Sequence, residues 1–211
     1  AEASRKASQT FDYDVLIIGS GFGGSVAALR LSEKGYRVGV LEKGKRYRPE
    51  DLPKTNWDLR RSFWFPKLGM HGTWGLHLLR ESLILHGVGV GGGSLVYACT
   101  LFDAPDTVWD DPQWKELVDW RSVMPEHYRT ARRMLGATTN PKMGAPDEAL
   151  RRAGERRGYG DTFTPTDLSI FFGDPDTTVP DPYFGGEGPD RVGCTFCGGC
   201  MVGCRHGAKN T

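Results

Sequence analysis

Three groups of residues have the types and spacing to do chemistry. Gly19, Gly21 and Gly24 fit the pattern G-x-G-x-x-G, with Gly23 as an extra glycine, and Glu42 follows about twenty residues on. Gly92, Gly93 and Ser94 lie in a second glycine-rich run, "GVGVGGGS". Cys194, Cys197, Cys200 and Cys204 are spaced C-x2-C-x2-C-x3-C.

The first group suits a dinucleotide. Gly19 permits a tight turn, Gly21 lets the backbone approach a pyrophosphate, and Gly24 lets a helix sit close on a strand. A helix opening at this point presents unpaired N–H groups and a partial positive charge to the diphosphate. Glu42 is placed to accept hydrogen bonds from ribose hydroxyls and would repel a 2′-phosphate, which disfavours NADP. The pattern does not separate FAD from NAD. Consecutive glycines in the second run expose amide N–H groups with no side chain in the way.

The cysteine spacing is the run that bacterial ferredoxins use for a [4Fe–4S] cluster, and thiolates suit iron. Gly198, Gly199 and Gly203 would let the backbone wrap closely, although Arg205 replaces the usual proline. Zinc, a disulfide and plain packed thiols are the alternatives. Thiolates of this kind persist where glutathione keeps them reduced, so the expected location is cytoplasmic. Cys99 stands far off in the sequence.

These residues need elements to position them. "YDVLIIG" reads as a buried parallel strand, "GGSVAALRLSEKG" as a helix stopped by Gly35, and "YRVGVLEKG" as a second strand ending at Glu42, together a β-α-β unit. Residues 45–75 read as an irregular surface excursion and "RESLILHG" as a strand. Three helices are expected afterwards. One is "DPQWKELVDW", capped by Asp111 with Pro112 first; another is "PEHYRTARRMLG"; the third is "PDEALRRAGERRG", opened by Pro146 and closed by Gly158. Residues 161–190 read as irregular. The expected organisation is a flexible tail at 1–10, a nucleotide-binding part at 11–105, a helical and irregular extension at 106–193 and the cysteine-rich motif at 194–211.

The formal charge of +1 gives no basic footprint, so no nucleic-acid partner is expected. No run of about 18 apolar residues suggests a membrane-spanning helix. The 29 glycines are the compositional outlier, and they concentrate in the loops described above.

"YDVLIIGSGFGGSVAALRLSEKGYRVGVLEKG" followed by "GVGVGGGSLVYA" resembles the glucose–methanol–choline (GMC) oxidoreductases, and within them the bacterial cholesterol-oxidase-like branch. The resemblance implies an α/β, Rossmann-like FAD/NAD(P)-binding domain forming the N-terminal part of a flavoenzyme, with a helical and irregular extension. It implies bound FAD and oxidation of an alcohol CH–OH group, sterol-like in this branch, by hydride transfer to flavin. Gly19, Gly21, Phe22, Gly23, Gly24 and Glu42 then match the part that binds ADP, and Gly92, Gly93 and Ser94 match the loop beside the pyrophosphate and flavin. Tyr97 stands where cholesterol oxidases carry Asn. The family's catalytic His pair lies near the end of a chain more than twice as long. The catalytic residues are therefore expected beyond Thr211, in the remainder of the protein or a companion chain, and this piece alone is expected not to turn over. His71, His77 and His86 read as structural. An NAD-dependent dehydrogenase, or an iron–sulfur electron-transfer module passing electrons to an acceptor, is the competing reading.

Overall fold

The computed structural model describes residues 11–55 and 57–209. The tail expected at 1–10 lies outside them, as do the last two residues of the chain. The chain divides into two compact units after Val96, ahead of the residue-105 boundary expected from the sequence.

The first unit opens with the expected β-α-β unit. Strand β1 (Val15–Ile18) leads through the glycine turn into helix α1 (Phe22–Glu33), and the chain returns as β2 (Val38–Leu41). The strands are parallel, with Val15 opposite Val38 and Ile18 opposite Leu41. Gly35, with a left-handed φ of 85°, reverses the chain after α1, and its N–H bonds the carbonyl of Ser32 at 2.9 Å. The expectation of a buried β1 needs correction: Ile18 is 88% exposed and Leu16 is also largely open. A parallel pair needs layers on both faces to be buried. Among the described residues, α1 is the helix that packs on β1 and β2.

The excursion after β2 carries more structure than expected. It contains α2 (Leu59–Ser62), capped by the Asp58 carboxylate accepting from Arg61 N, and the antiparallel pair β3 (Trp64–Phe65) and β4 (Met70–His71). These pieces are two to four residues long, too short for a hydrophobic period to show. The hairpin of β5 (Trp74–Leu78) and β6 (Leu83–Gly87) follows, with Trp74 opposite Gly87, and β6 is the strand expected from "RESLILHG".

The second unit contains α3 (Trp120–Met134), β7 (Thr138–Thr139), α4 (Ala145–Arg156), β8 (Asp167–Leu168), β9 (Thr178–Val179) and β10 (Arg191–Val192). Helix α4 starts and stops as expected, with Pro146 in its first turn, Asp147 accepting from Gly144 N at 2.8 Å, and Gly158 at φ 78°. The helix expected over "DPQWKELVDW" is instead a run of turns. Asp111 accepts from Gln113 N through its side chain, and the Trp114 and Trp120 indoles donate to the carbonyls of Val108 and Trp114. These ties fold the segment back on itself in place of a helical ladder. Helix α3 begins at Trp120 and not at Pro125, so the proline sits inside the helix. As the sixth helical residue it lies beyond the first turn, and it removes the bond an N–H there would make to the Arg121 carbonyl.

A short stretch through Leu168, Ser169 and Ile170 organises this unit. It bridges to Thr100 on one side and Lys209 on the other. Ser169 N bonds Cys99 O at 2.9 Å, and Phe171 N bonds Ala208 O at 2.8 Å. The buried core is Cys99, Ile170 and Ala208.

Gly24 fixes the packing of α1 on β1, because a Cβ there would lie 2.0 Å from the carbonyl oxygen of Gly19. Gly24→Ala is expected to destabilise the unit by about 1–3 kcal/mol, the usual scale for overpacking. The midpoint of urea unfolding measures this, and an unchanged midpoint would contradict the close helix–strand contact.

Candidate functional site

The glycine turn is built as a diphosphate cradle. Gly19 leaves β1 with φ 91°, a left-handed conformation that glycine adopts freely, and its N–H bonds Leu41 O at 2.7 Å. Gly21 is the N-cap of α1. It has no side chain to satisfy the first amides, and the first turn of the helix carries no acidic residue. The N-terminal N–H groups therefore keep both their donor capacity and their partial positive charge. A Cβ at Gly19, Gly21 or Gly23 would meet nothing within 4 Å, whereas one at Gly24 would strike backbone. The open side of the turn thus faces away from the protein, and the packed side faces β1. This is the fit expected for a ligand pyrophosphate lying against bare backbone.

The second glycine loop touches the first. Gly92 begins a 3-10 turn running to Leu95, and a Cβ on Gly92 would lie 2.9 Å from the Cα of Gly21. A Cβ on Gly93 would rest against the Phe22 ring at 3.6 Å. Ser94 is buried, and its hydroxyl donates to Gly91 O at 2.9 Å, so it holds the loop's own turn.

Glu42 joins these parts. One carboxylate oxygen accepts from Ser20 N at 3.0 Å and from the Ser20 hydroxyl at 2.8 Å, and the other accepts from Gly44 N at 2.9 Å. The Ser20 oxygen in turn accepts from Gly91 N at 3.1 Å. Partial burial alone would raise the Glu42 pKa. The bonds from Gly44 N and from the amide and hydroxyl of Ser20 outweigh it, so the carboxyl stays below the usual glutamate range and is ionised near neutral pH. Ser20 occupies a variable position of the glycine pattern, and nothing in the spacing singled it out.

The histidines between the glycine motifs have structural surroundings. His71 packs edge-on against Trp64, and His77 stacks on His86 across the hairpin with centroids 4.8 Å apart.

In the second unit the four clustered cysteines surround one cavity of about 20 Å³, together with Ile170 and Lys209. Cys99 belongs with them: it is fully buried in a cluster with Ile170 and Ala208, against which Cys194, Cys200 and Cys204 pack. Its thiol donates to Tyr97 O at 3.8 Å. The interaction with the Cys200 side chain, followed by burial, pushes the Cys99 thiol up, and the same interaction pulls Cys200 down. Lys209 is buried, with its ammonium donating to the carbonyls of Tyr97 at 3.0 Å and Cys200 at 2.9 Å. Tyr97 lies under that ammonium, and its hydroxyl pairs with Ser169.

This arrangement does not fit the [4Fe–4S] expectation. Among the described residues no three His, Cys, Asp or Glu side chains converge in a way that could hold a metal ion. The cavity has room for about one water molecule, not for an eight-atom cubane. Cys200 is engaged by Cys99, and Cys194 Sγ accepts from Phe196 N at 3.4 Å. The five cysteines are free thiols.

Ser20→Ala removes the hydroxyl that links Glu42 to Gly91. Flavin binding is expected to weaken roughly 5- to 30-fold, as for loss of about 1–2 kcal/mol of partly charge-assisted hydrogen bonding. Titration of flavin fluorescence measures it, and an unchanged Kd would contradict the linkage.

A family model described as an FAD binding domain matches residues 14–50, a stretch that includes β1, α1, β2 and Glu42. Over 205 residues, 95% of this chain, the sequence is 56% identical to a cholesterol oxidase of Mycobacterium tuberculosis, covering 36% of that protein. It is 51% identical to a cholesterol oxidase of Acinetobacter baumannii, again over 95% of this chain and 37% of the relative. A long-chain-alcohol oxidase of Arabidopsis thaliana is 28% identical over 93% of this chain and 23% of the relative. The chain spans about a third of the length of the cholesterol oxidases it matches. The two glycine loops and the acid between them lie within the stretch that is similar to these oxidases.

Proposed function

We propose that this chain holds the adenosine diphosphate end of FAD, and that the complete protein oxidises a CH–OH group of a small hydrophobic alcohol, sterol-like or long-chain. The observation that carries the reading is the Glu42–Ser20–Gly91 linkage, which joins two glycine loops into one cradle. The amides at the start of α1 hold the diphosphate, Glu42 orients the adenosine ribose, and the bare backbone of Gly92 and Gly93 lets the cofactor pass close by. When bound, the flavin takes the hydride from the alcohol carbon.

The similarity to cholesterol oxidases and to long-chain-alcohol oxidases supports an alcohol as the substrate, and in this reading the proton-accepting residue and the substrate pocket belong to the rest of the same protein. The histidines of this chain that lie between the glycine loops are engaged with aromatic neighbours, so none of them is proposed as the general base. The ionised Glu42 argues against a 2′-phosphorylated cofactor. An electron acceptor, oxygen or a carrier, completes the cycle.

Anaerobic addition of a sterol or a long-chain primary alcohol to the complete protein should bleach the oxidised flavin absorbance, with one flavin per chain. Reduction of added NAD⁺ with no flavin present would overturn the reading in favour of a nicotinamide dehydrogenase. Gly21→Leu places a side chain in the open face of the cradle and should abolish stoichiometric flavin binding in a folded protein. Retention of one flavin per chain would move the site elsewhere.

A further inference from the structure

We propose that Lys209 is a positioning residue for the second glycine loop. Its buried ammonium holds the backbone where the loop ends, at Tyr97, and so sets the path of the Gly92 and Gly93 backbone beside the cofactor. What the loop holds rests on the flavin reading; the grip on Tyr97 does not.

The loop needs holding from outside. Gly91 and Gly92 have φ of 107° and 56°, a region that glycine enters freely, and neither has a side chain to pack. Bonds within the loop, from Ser94 N to Gly91 O at 3.2 Å and from Val96 N to Gly93 O at 3.1 Å, close its turn without fixing where the turn sits. Leu95 and Val96 are buried, but burial is non-directional. The entrance of the loop has an outside anchor, because Gly91 N donates to Ser20 Oγ at 3.1 Å. The exit runs through Val96 into Tyr97, the first residue of the second unit.

Lys209 is the anchor at that exit. The residue is 2% exposed, and its ammonium donates to Tyr97 O at 3.0 Å across 112 residues of sequence. The same ammonium donates to Cys200 O at 2.9 Å and lies 4.5 Å from the centroid of the Tyr97 ring. Tyr97 is thus gripped at its carbonyl and at its ring. A second donor, the Cys99 thiol, reaches that carbonyl at 3.8 Å, and the Tyr97 hydroxyl pairs with the fully buried Ser169. Lys209 is itself fixed in place. It bridges to Ile170, and its carbonyl accepts from Nη1 of the buried Arg191 at 3.1 Å. Consecutive Cα atoms are about 3.8 Å apart, so a Tyr97 held in this way leaves Val96 little freedom.

Packing alone does not call for an ammonium here. Burying a charge is costly unless it is paired, and an apolar side chain of similar length would fill the same space. An apolar chain cannot hold a carbonyl in one direction. The ammonium does so for two carbonyls, one at residue 97 and one in the cysteine-rich turn.

The test compares the complete parent protein with Lys209→Met, which keeps the length and removes the donors. Lys142→Met is the control, since that ammonium lies over the Phe196 ring and not at Tyr97. Lys209→Met should speed amide hydrogen exchange across residues 91–97 in the flavin-free protein and leave residues 15–33 unchanged. It should weaken FAD binding about 5- to 30-fold, the scale for losing a hydrogen bond to a charged group, and alter the visible circular dichroism of the bound flavin. Lys142→Met should match the parent in all three. A merely structural role would lower the urea midpoint and leave the affinity and the flavin spectrum of the folded protein where they are, which would overturn the proposal. Unchanged exchange across residues 91–97 would overturn it as well. If Lys209→Met does not fold, the parent protein carries the result: residues 91–97 and 199–209 should open to exchange together, and independent opening would contradict the grip. A parent protein that binds no FAD would overturn the flavin reading and the cofactor half of this proposal, while exchange would still decide the grip on Tyr97.

Discussion

A single carboxylate ties the nucleotide-binding half of this chain together. Glu42 directly follows β2, and its oxygens are bonded to the turn after β1 through Ser20 and to the chain just beyond itself through Gly44. Through the Ser20 hydroxyl the same carboxylate reaches the second glycine loop at Gly91. The parallel pairing of β1 with β2 supplies the register that makes this possible, since Ile18 and Leu41 lie side by side, two residues before Ser20 and one before Glu42. Without the carboxylate the Ser20 hydroxyl, which accepts from Gly91 N, would lose its own acceptor, and the open face of the cradle would no longer be held in one shape. Loop backbones are the least restrained part of a fold, so a charge-assisted clamp is what turns two flexible glycine runs into one surface.

The second unit solves a different problem. Its core is small, centred on Cys99, Ile170 and Ala208, and it takes in the ammonium of Lys209. Burial lowers the Lys209 pKa, opposed by the facing sulfurs of Cys99, Cys200 and Cys204. The ammonium is satisfied by two backbone carbonyls and lies over the Tyr97 ring. A buried cation needs such partners, and here they come from both ends of the unit. The cysteine-rich turn is thereby fastened to residues 97–99, and the glycines at 198, 199 and 203 let it wrap the cavity closely.

Much of this was legible in the sequence where the determining contacts are local. The glycine pattern, its helix and the acid after β2 are read from neighbours about thirty residues apart, and Gly24 and Gly35 do what their positions predict. Ser20 was not legible, because its partner Gly91 lies in a loop 71 residues away and its own position tolerates many residue types. The exposure of β1 was missed because an apolar run shows that a strand seeks cover, not what covers it. The Asp111–Pro112 start signal was present but was overridden by indole hydrogen bonds from Trp114 and Trp120, and Pro125 was tolerated inside α3. The cysteine spacing suggested a cluster. What spacing cannot carry is the arrival of Cys99 as a fifth sulfur, which depends on pairings made by residues 168–171.

The clamp at Glu42 is the central claim, and a double-mutant cycle on FAD affinity tests it most directly. Ser20→Ala, Glu42→Ala and the double variant would each be titrated with FAD, with urea unfolding as a check on the fold. If Ser20 acts through Glu42, the loss in the double variant should be smaller than the sum of the single losses, with a coupling of at least about 0.5–1 kcal/mol. Losses that add fully, or a Ser20→Ala variant that binds FAD as tightly as the parent protein, would contradict the account.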